Sequence, residues 1–128
     1  MPYLRLGHRD TAETITCDIL FDHRVRWAES RPIVFLNGCR TAELSPEVAI
    51  DFVSFFVEDA WARGVLGTEI TVFEELARAF AEECLRRFLV LREPIGEAVR
   101  GARLRLLQDR NPLGLAYIPF VLPTVRLA

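Results

Sequence analysis

With 128 residues, of which 51% are hydrophobic and 27% charged, the chain is long enough for one ordered domain with a sizeable core. The net charge of −2 provides no basic field, which argues against nucleic acid as a main partner. No apolar run approaches the roughly 18 residues that a membrane-spanning helix needs, and the first residues do not resemble a signal peptide. We therefore expect no membrane partner either.

The few cysteines and histidines narrow the chemistry further. The chain has three cysteines, an odd number with no CxxC pair, which predicts reduced thiols and a cytoplasmic location. Its two histidines are too few for the usual zinc sites. We therefore expect no metal and no cofactor.

Residues 1–30 show the weakest regular patterns. Tyr3, Leu4 and Leu6 predict a short strand that Gly7 closes. Residues 15–20 predict a short helix with Thr16 as its N-cap.

A buried strand at residues 33–36 forms the centre of the predicted sheet. These residues are a continuous apolar run, which is typical of a strand covered on both faces. Pro32 suits the first position of such a strand, and Asn37 with Gly38 ends it in a turn. The strand therefore delivers Cys39 to the carboxyl edge of the sheet, where open α/β sheets bind their ligands.

An amphipathic helix is predicted for residues 46–63. Ser45 is a suitable N-cap, Pro46 suits the first helical position, and Gly64 is placed to end the helix in the left-handed conformation. The apolar face comprises Val48, Ala49, Phe52, Val53, Phe56, Val57, Ala60 and Trp61, and is widened by Ile50 and Phe55.

A second short strand and a longer helix follow. Residues 65–66 predict the strand, with Thr68 and Glu69 at its carboxyl end. Thr71 and Glu74 match a capping box for a helix that runs to about residue 91. Its predicted buried face comprises Phe73, Leu76, Ala77, Phe80, Cys84, Leu85 and Phe88.

Residues 94–108 predict a third helix, after which the chain ends in a strand. The helix is predicted to bury Ile95, Ala98, Val99, Ala102 and Leu106, and to expose Arg100, Arg103 and Arg105. The last strand is predicted at residues 115–118, where Pro119 interrupts it. Pro119 and Pro123 suit the edge of a sheet rather than its centre.

The order of these elements predicts the fold class. Strand, helix, strand, helix, helix and strand is the order of a three-layer α/β/α sandwich with a mostly parallel sheet. Right-handed crossovers then place the carboxyl ends of the strands at 33–36 and 65–67 on the same edge. We therefore expect Cys39 to lie beside Thr68 and Glu69, which become candidate substrate-binding residues.

Cys39 is the candidate nucleophile of this edge. Ser45 and Ala42 stand where a cysteine-dependent phosphatase needs arginine and a thioredoxin-like pair needs a second cysteine, so both of those reactions are excluded. A cysteine hydrolase remains, with Gly38 and the Cys39 amide as the candidate oxyanion hole. Arg40 and a following helix would favour the thiolate. From the residues alone, an ordinary cysteine after a strand stays open as the alternative.

Several segments together resemble one protein family. Residues 36–42, with Cys39 after the buried strand, are similar to the nucleophile segment of CHAT domains, the caspase-like cysteine peptidases related to separases. Residues 63–69 resemble the next strand and turn of that family, residues 96–103 its penultimate helix, and residues 111–117 its final strand. Residues 3–6 and 15–19 fit the link between its two catalytic segments. The resemblance implies a caspase-like sheet, endopeptidase activity, and Cys39 as the nucleophile.

The resemblance also implies a histidine base that this chain does not show. In caspase-like proteases that histidine lies about 50 residues before the cysteine, which for Cys39 falls before Met1. His8 and His23 lie closer to the cysteine and are interpreted as ordinary surface or loop residues. Residues 1–128 therefore resemble a single partial CHAT domain, its carboxyl-terminal half, without the base and without the first strands of the sheet.

Two functions remain open at this point. In the first, the chain is the nucleophile-bearing half of a cysteine endopeptidase, which acts on a protein or peptide and needs a complementary chain or domain. In the second, it is an inactive CHAT-like module that binds other proteins. In either case the sheet edge left by the missing strands invites self-association. Glu69 would favour a basic residue in a substrate, although a carboxylate on a loop is usually only solvated.

Overall fold

The computed structural model describes residues 3–6, 10–11, 13–37, 46–68 and 72–128. In chain order, the elements of this part of the molecule are β1 (Tyr3–Leu6), β2 (Glu13–Thr16), α1 (Cys17–Asp22), β3 (Ile33–Phe35), α2 (Pro46–Ser54), β4 (Gly64–Thr68), α3 (Glu74–Leu85), α4 (Ile95–Gln108) and β5 (Tyr117–Phe120). One π-helical turn, Phe55–Asp59, extends α2, and another, Arg86–Val90, extends α3. A 3-10 turn, Pro112–Ala116, precedes β5. Among the helices in these ranges, none is long and apolar enough to cross a membrane.

The sheet that carries the predicted site has the strand order β3-β4-β5. β3 runs parallel to β4 with Phe35 opposite Leu66, and the Leu36 amide donates to the Leu66 carbonyl at 2.8 Å. β5 runs antiparallel to β4, with Tyr117 opposite Thr68. The prediction of a mostly parallel sheet is therefore wrong for β5. β5 is antiparallel because the chain returns to the sheet at the carboxyl end of β4, where Tyr117 pairs with Thr68, and then runs toward the start of β4.

Helices cover both faces of this sheet. Successive residues of a strand point to opposite faces. Val65 accordingly packs in one core with Phe52 of α2, and Leu66 packs in another core with Phe80 of α3 and Val99 of α4. All five of these side chains are at most 2% exposed. The α/β class is confirmed, with a helical layer on each face of the sheet.

The first residues form more structure than the sequence predicts. β1 and α1 are present, and the Thr16 hydroxyl accepts a hydrogen bond from the Ile19 amide at 3.2 Å, which confirms Thr16 as the N-cap. The sequence analysis did not predict β2, which pairs antiparallel with β1. Leu4 and Leu20 attach this hairpin and α1 to the α2 side of the sheet.

The end of α2 differs from the prediction. Gly64 does not end the helix in the left-handed conformation, because it is the first residue of β4. The left-handed residue is Trp61, with φ 63°. Its carbonyl accepts from Arg31 Nε at 3.0 Å, and the guanidinium of Arg26 lies 4.0 Å from its ring centroid. Ile50, predicted to widen the buried face, is 55% exposed.

α3 begins later than predicted and buries a narrower face. It starts at Glu74, so Glu74 is not at the third helical position that a capping box requires, and Thr71 lies outside the described residues. Phe73 and Leu85 are 76% and 41% exposed, because they lie beside the buried stripe rather than within it. The other predicted residues are buried: Leu76, Ala77, Phe80, Cys84 and Phe88.

α4 matches the prediction in its bounds and in all of its buried residues, with one correction on its polar face. Arg100 and Arg105 are exposed, as predicted. Arg103 is instead half-buried and donates a hydrogen bond to the Tyr117 carbonyl. Arg103 therefore ties α4 to the start of β5.

Gly64 is required by a close approach of two backbone segments. A Cβ at this position would lie 2.3 Å from the Val121 Cβ and 2.7 Å from the Phe120 carbonyl oxygen. We expect Gly64→Ala to lower the free energy of unfolding by about 2 kcal/mol, since the edge strand must shift to make room. Urea unfolding measures this. The control is Gly67→Ala in the same strand, whose Cβ would meet, among the described residues, only Leu36 Cβ at 4.0 Å. Equal losses for the two variants would contradict the explanation.

Candidate functional site

The carboxyl ends of β3 and β4 form the edge at which the sequence predicts a site. The two strands are parallel, so their carboxyl ends lie on the same edge of the sheet. Continuing the register by two residues from Phe35 and Leu66 places Asn37 beside Thr68. Both side chains are half-buried. The edge therefore presents a carboxamide and a hydroxyl next to the segment that holds the candidate nucleophile.

The other three predicted site residues, Gly38, Cys39 and Glu69, lie outside the described residues. Cys39 follows Asn37 by two residues in the sequence. The contact of Cys39 with Thr68 and Glu69 stays a prediction.

Asn37 makes two side-chain hydrogen bonds that the sequence analysis did not foresee. Its Nδ2 donates to the Ala77 carbonyl of α3 at 2.9 Å. Its Oδ1 accepts from the Tyr117 hydroxyl of β5 at 2.6 Å. The sequence analysis treated Asn37 only as a turn residue. Strand alternation was the available signal, because it places residue 37 on the same face as Phe35, which packs against the α3 core.

Tyr117 is itself held firmly in the core. It is 0% exposed, and its ring stacks on that of Phe80 with the centroids 3.6 Å apart. The ring of Phe35 meets it edge-on at 6.2 Å. With Arg103 bound to its carbonyl, Tyr117 has both its ring and its backbone fixed. Its hydroxyl therefore reaches Asn37 from a rigid base.

The two cysteines in the described residues are poor nucleophiles. Both are free thiols. Burial raises the pKa of Cys84 to about 11, and its side chain is 1% exposed. Burial also raises the pKa of Cys17, and the nearby carboxylates of Asp51, Asp18 and Asp59 raise it further. Both thiols are therefore protonated at neutral pH.

The histidine in the described residues, His23, lies on the surface. His23 follows α1 as its C-cap, its amide donates to the Ile19 carbonyl at 3.0 Å, and its side chain is exposed. The interpretation of His23 as a surface residue is confirmed, whereas His8 lies outside the described residues. Within the part of the chain that the structure describes, no group of three or more metal-ligating side chains comes together.

Comparison with known proteins identifies one informative relative. No family model matches this chain. The chain is 49% identical over 130 residues to a protein of Vitiosangium sp. (strain GDMCC 1.1324) that is named a probable protease. The match covers 99% of this chain and 17% of that protein, so the chain spans only 17% of the length of the relative.

Proposed function

We propose that this chain carries the nucleophile of a caspase-like cysteine endopeptidase, with Cys39 as that nucleophile. The observation that carries the proposal is the 49% identity to a probable protease across 99% of the chain. The resemblance of residues 36–42 to the nucleophile segment of CHAT domains supplies the mechanism. The raised pKa values of Cys17 and Cys84 support Cys39 as the reactive thiol by difference.

The proposed reaction is acyl transfer through a thioester. The Cys39 thiolate attacks the carbonyl carbon of the scissile peptide, a C–S bond forms, and the carbonyl oxygen becomes an oxyanion. Backbone N–H groups at Gly38 and Cys39 stabilise that oxyanion. The C–N bond then breaks, and the amine leaves with a proton from a general acid, after which water hydrolyses the thioester. Thr68 and Glu69 line the same edge in this proposal, where Glu69 favours a basic substrate residue.

The histidine that moves the proton comes from a complementary segment in this proposal. Of the strands in the described residues, none pairs with the outer edge of β3, and Ile33, Val34 and Phe35 are only half-buried there. The backbone groups along this edge are available to a further strand. A complementary chain or domain that adds a strand next to β3 would bring its side chains to the carboxyl edge, and a second copy of this chain is the competing occupant.

A second function is a binding module without catalysis. The observation that favours it is the open edge of β3, with which none of the described strands pairs, since such an edge can bind a further strand without any catalysis. Such a module would use the same open edge of β3 to bind a partner protein.

Alkylation of the thiols tests the first proposal against the second. We expect iodoacetamide near neutral pH to modify Cys39 at least about tenfold faster than Cys17 or Cys84, because only thiolates react. The pKa of Cys84 is raised to about 11, so its thiolate fraction rises only at strongly alkaline pH. Mass spectrometry of the peptides gives each rate in one sample, and unfolding in guanidinium should make the three rates similar. If Cys39 reacts no faster than Cys17 in the folded protein, the chain is better explained as a binding module.

A further inference from the structure

The geometry points to a positioning role for Asn37 and Tyr117: we infer that they fix the end of β3 and thereby hold Cys39 in its reactive place. This inference rests on the proposed role of Cys39. It is carried by the two hydrogen bonds of the Asn37 side chain, to the Tyr117 hydroxyl at 2.6 Å and to the Ala77 carbonyl at 2.9 Å. We call this arrangement of Asn37, Tyr117 and Ala77 the Asn37 clamp.

Asparagine is the residue type that the clamp requires. Its short side chain carries an acceptor oxygen and a donor nitrogen, and each atom has a partner among the described residues. The oxygen faces a hydroxyl donor on β5, and the nitrogen faces a carbonyl acceptor on α3. Aspartate lacks the donor, and serine is shorter by one heavy atom. Turn formation before Gly38 would not require either of these bonds.

The two partners of Asn37 belong to the buried core. Ala77 is 2% exposed, and its carbonyl belongs to the regular part of α3, where a second lone pair remains for the asparagine. Tyr117 is 0% exposed and is stacked on Phe80. The clamp therefore links the end of β3 to a strand and a helix that belong to the main core.

The clamp extends the fixed part of the chain by one residue toward the nucleophile. Pairing with β4 holds the backbone as far as Leu36, whose amide donates to Leu66. The next residue, Asn37, is held through its side chain. Cys39 follows Asn37 by two residues in the sequence. Without the clamp, the side chain at the end of β3 would lose both of its hydrogen bonds, and in this proposal the thiolate would lose its alignment with the groups that stabilise it.

The pH dependence of Cys39 alkylation distinguishes a positioning role of the clamp from a role in stability alone. Loss of the clamp lowers stability in both cases, because hydrogen bonds between partly buried groups are lost. Only the positioning role alters the ionisation of Cys39. The pH at which half of the maximal alkylation rate is reached reports that ionisation, and it can be measured on the chain as it exists.

The test compares Asn37→Ala, Tyr117→Phe and the double variant by the pH profile of Cys39 alkylation with iodoacetamide. Tyr117→Phe removes one hydroxyl and keeps the ring stack. We expect a native midpoint below the free-thiol value of about 8.5. Each variant should raise it by at least about half a pH unit, which is a threefold loss of thiolate near neutral pH. The double variant should shift no further than the larger single one, since both residues act through the same clamp.

A control variant separates position from stability. Cys84→Ala removes a buried group from α3 in the same core without touching the clamp. It should not move the midpoint of Cys39. If Tyr117→Phe fails to fold, Asn37→Ala tests the same role through the midpoint pH of Cys39 alkylation. This variant truncates only a half-buried side chain.

The possible results distinguish the clamp from the proposed function. A depressed native midpoint that the clamp variants leave unchanged overturns the clamp and leaves the nucleophile intact. Equal shifts in the clamp variants and in Cys84→Ala also overturn it, because stability alone would then explain the profile. A native midpoint near 8.5 that no variant moves overturns both the reactive nucleophile and its positioning. A shift confined to the clamp variants supports the inference.

Discussion

Replacing Cys39 with alanine should abolish peptide hydrolysis, with a loss of about 10⁴-fold or more in kcat/KM. The reason is that the proposed reaction has no other nucleophile: the C–S bond of the thioester cannot form without the Cys39 sulfur. The measurement is cleavage of fluorogenic peptides with a basic residue before the scissile bond. Because the proposal takes the histidine base from a complementary segment, the assay combines this chain with a candidate for that segment. The DNA upstream of the Met1 codon is searched first for a histidine-glycine pair after an apolar run.

Cys17→Ala is the matched control for this experiment. It removes a thiol of the same size from α1, where burial and three nearby aspartates already raise the thiol pKa. We expect its kcat/KM to stay within about twofold of the native value, because Cys17 packs on the α2 side of the sheet and takes no part in the reaction. Equal rates for native protein and Cys39→Ala would reject the cysteine mechanism. If Cys17→Ala abolishes hydrolysis, the nucleophile is Cys17 of α1 and not Cys39.

The elements predicted most accurately are those in which the local pattern of apolar residues matches the side chains that are buried. The buried face of α4 follows from the spacing of five apolar residues, and all five are at most 5% exposed. The run in β4 likewise indicates a strand covered on both faces, and Val65 and Leu66 are buried in the cores on its two sides. The run in β3 indicates the same, but that prediction is wrong for the described sheet: β3 lies at its edge, and its residues are only half-buried. In α4 and β4 the local pattern and the tertiary environment agree.

The elements predicted poorly depend on partners distant in sequence. Residues 13–16 of β2 include Glu13 and two threonines, and they form a strand because β1 pairs with them. The direction of β5 depends on where the chain returns to the sheet after α4, which no local pattern contains. For the site, the sequence analysis selected the neighbourhood of Cys39 from a strand end and a family resemblance. It missed the role of Asn37, because the Tyr117 hydroxyl is 80 residues away in the chain.

Phe80→Ala should produce the largest loss of stability among single core substitutions, about 3 to 5 kcal/mol of unfolding free energy. Phe80 is 0% exposed, stacks on Tyr117 and meets the ring of Phe35 at 6.3 Å, so its removal leaves a cavity between α3 and the sheet. A domain of this size has roughly 6 to 19 kcal/mol of stability in total. The measurement is urea unfolding followed by circular dichroism.

Phe73→Ala is the matched control, since it removes the same ring from the residue just before α3. Phe73 was predicted to share the buried face with Phe80, yet it is 76% exposed. We expect Phe73→Ala to change the free energy of unfolding by no more than about 0.5 kcal/mol. Equal losses would mean that both rings are buried, contrary to the observed start of α3 at Glu74. A large difference would show that the stability of this helix comes from Phe80 packing against Tyr117 and Phe35, the rings that also support the end of β3.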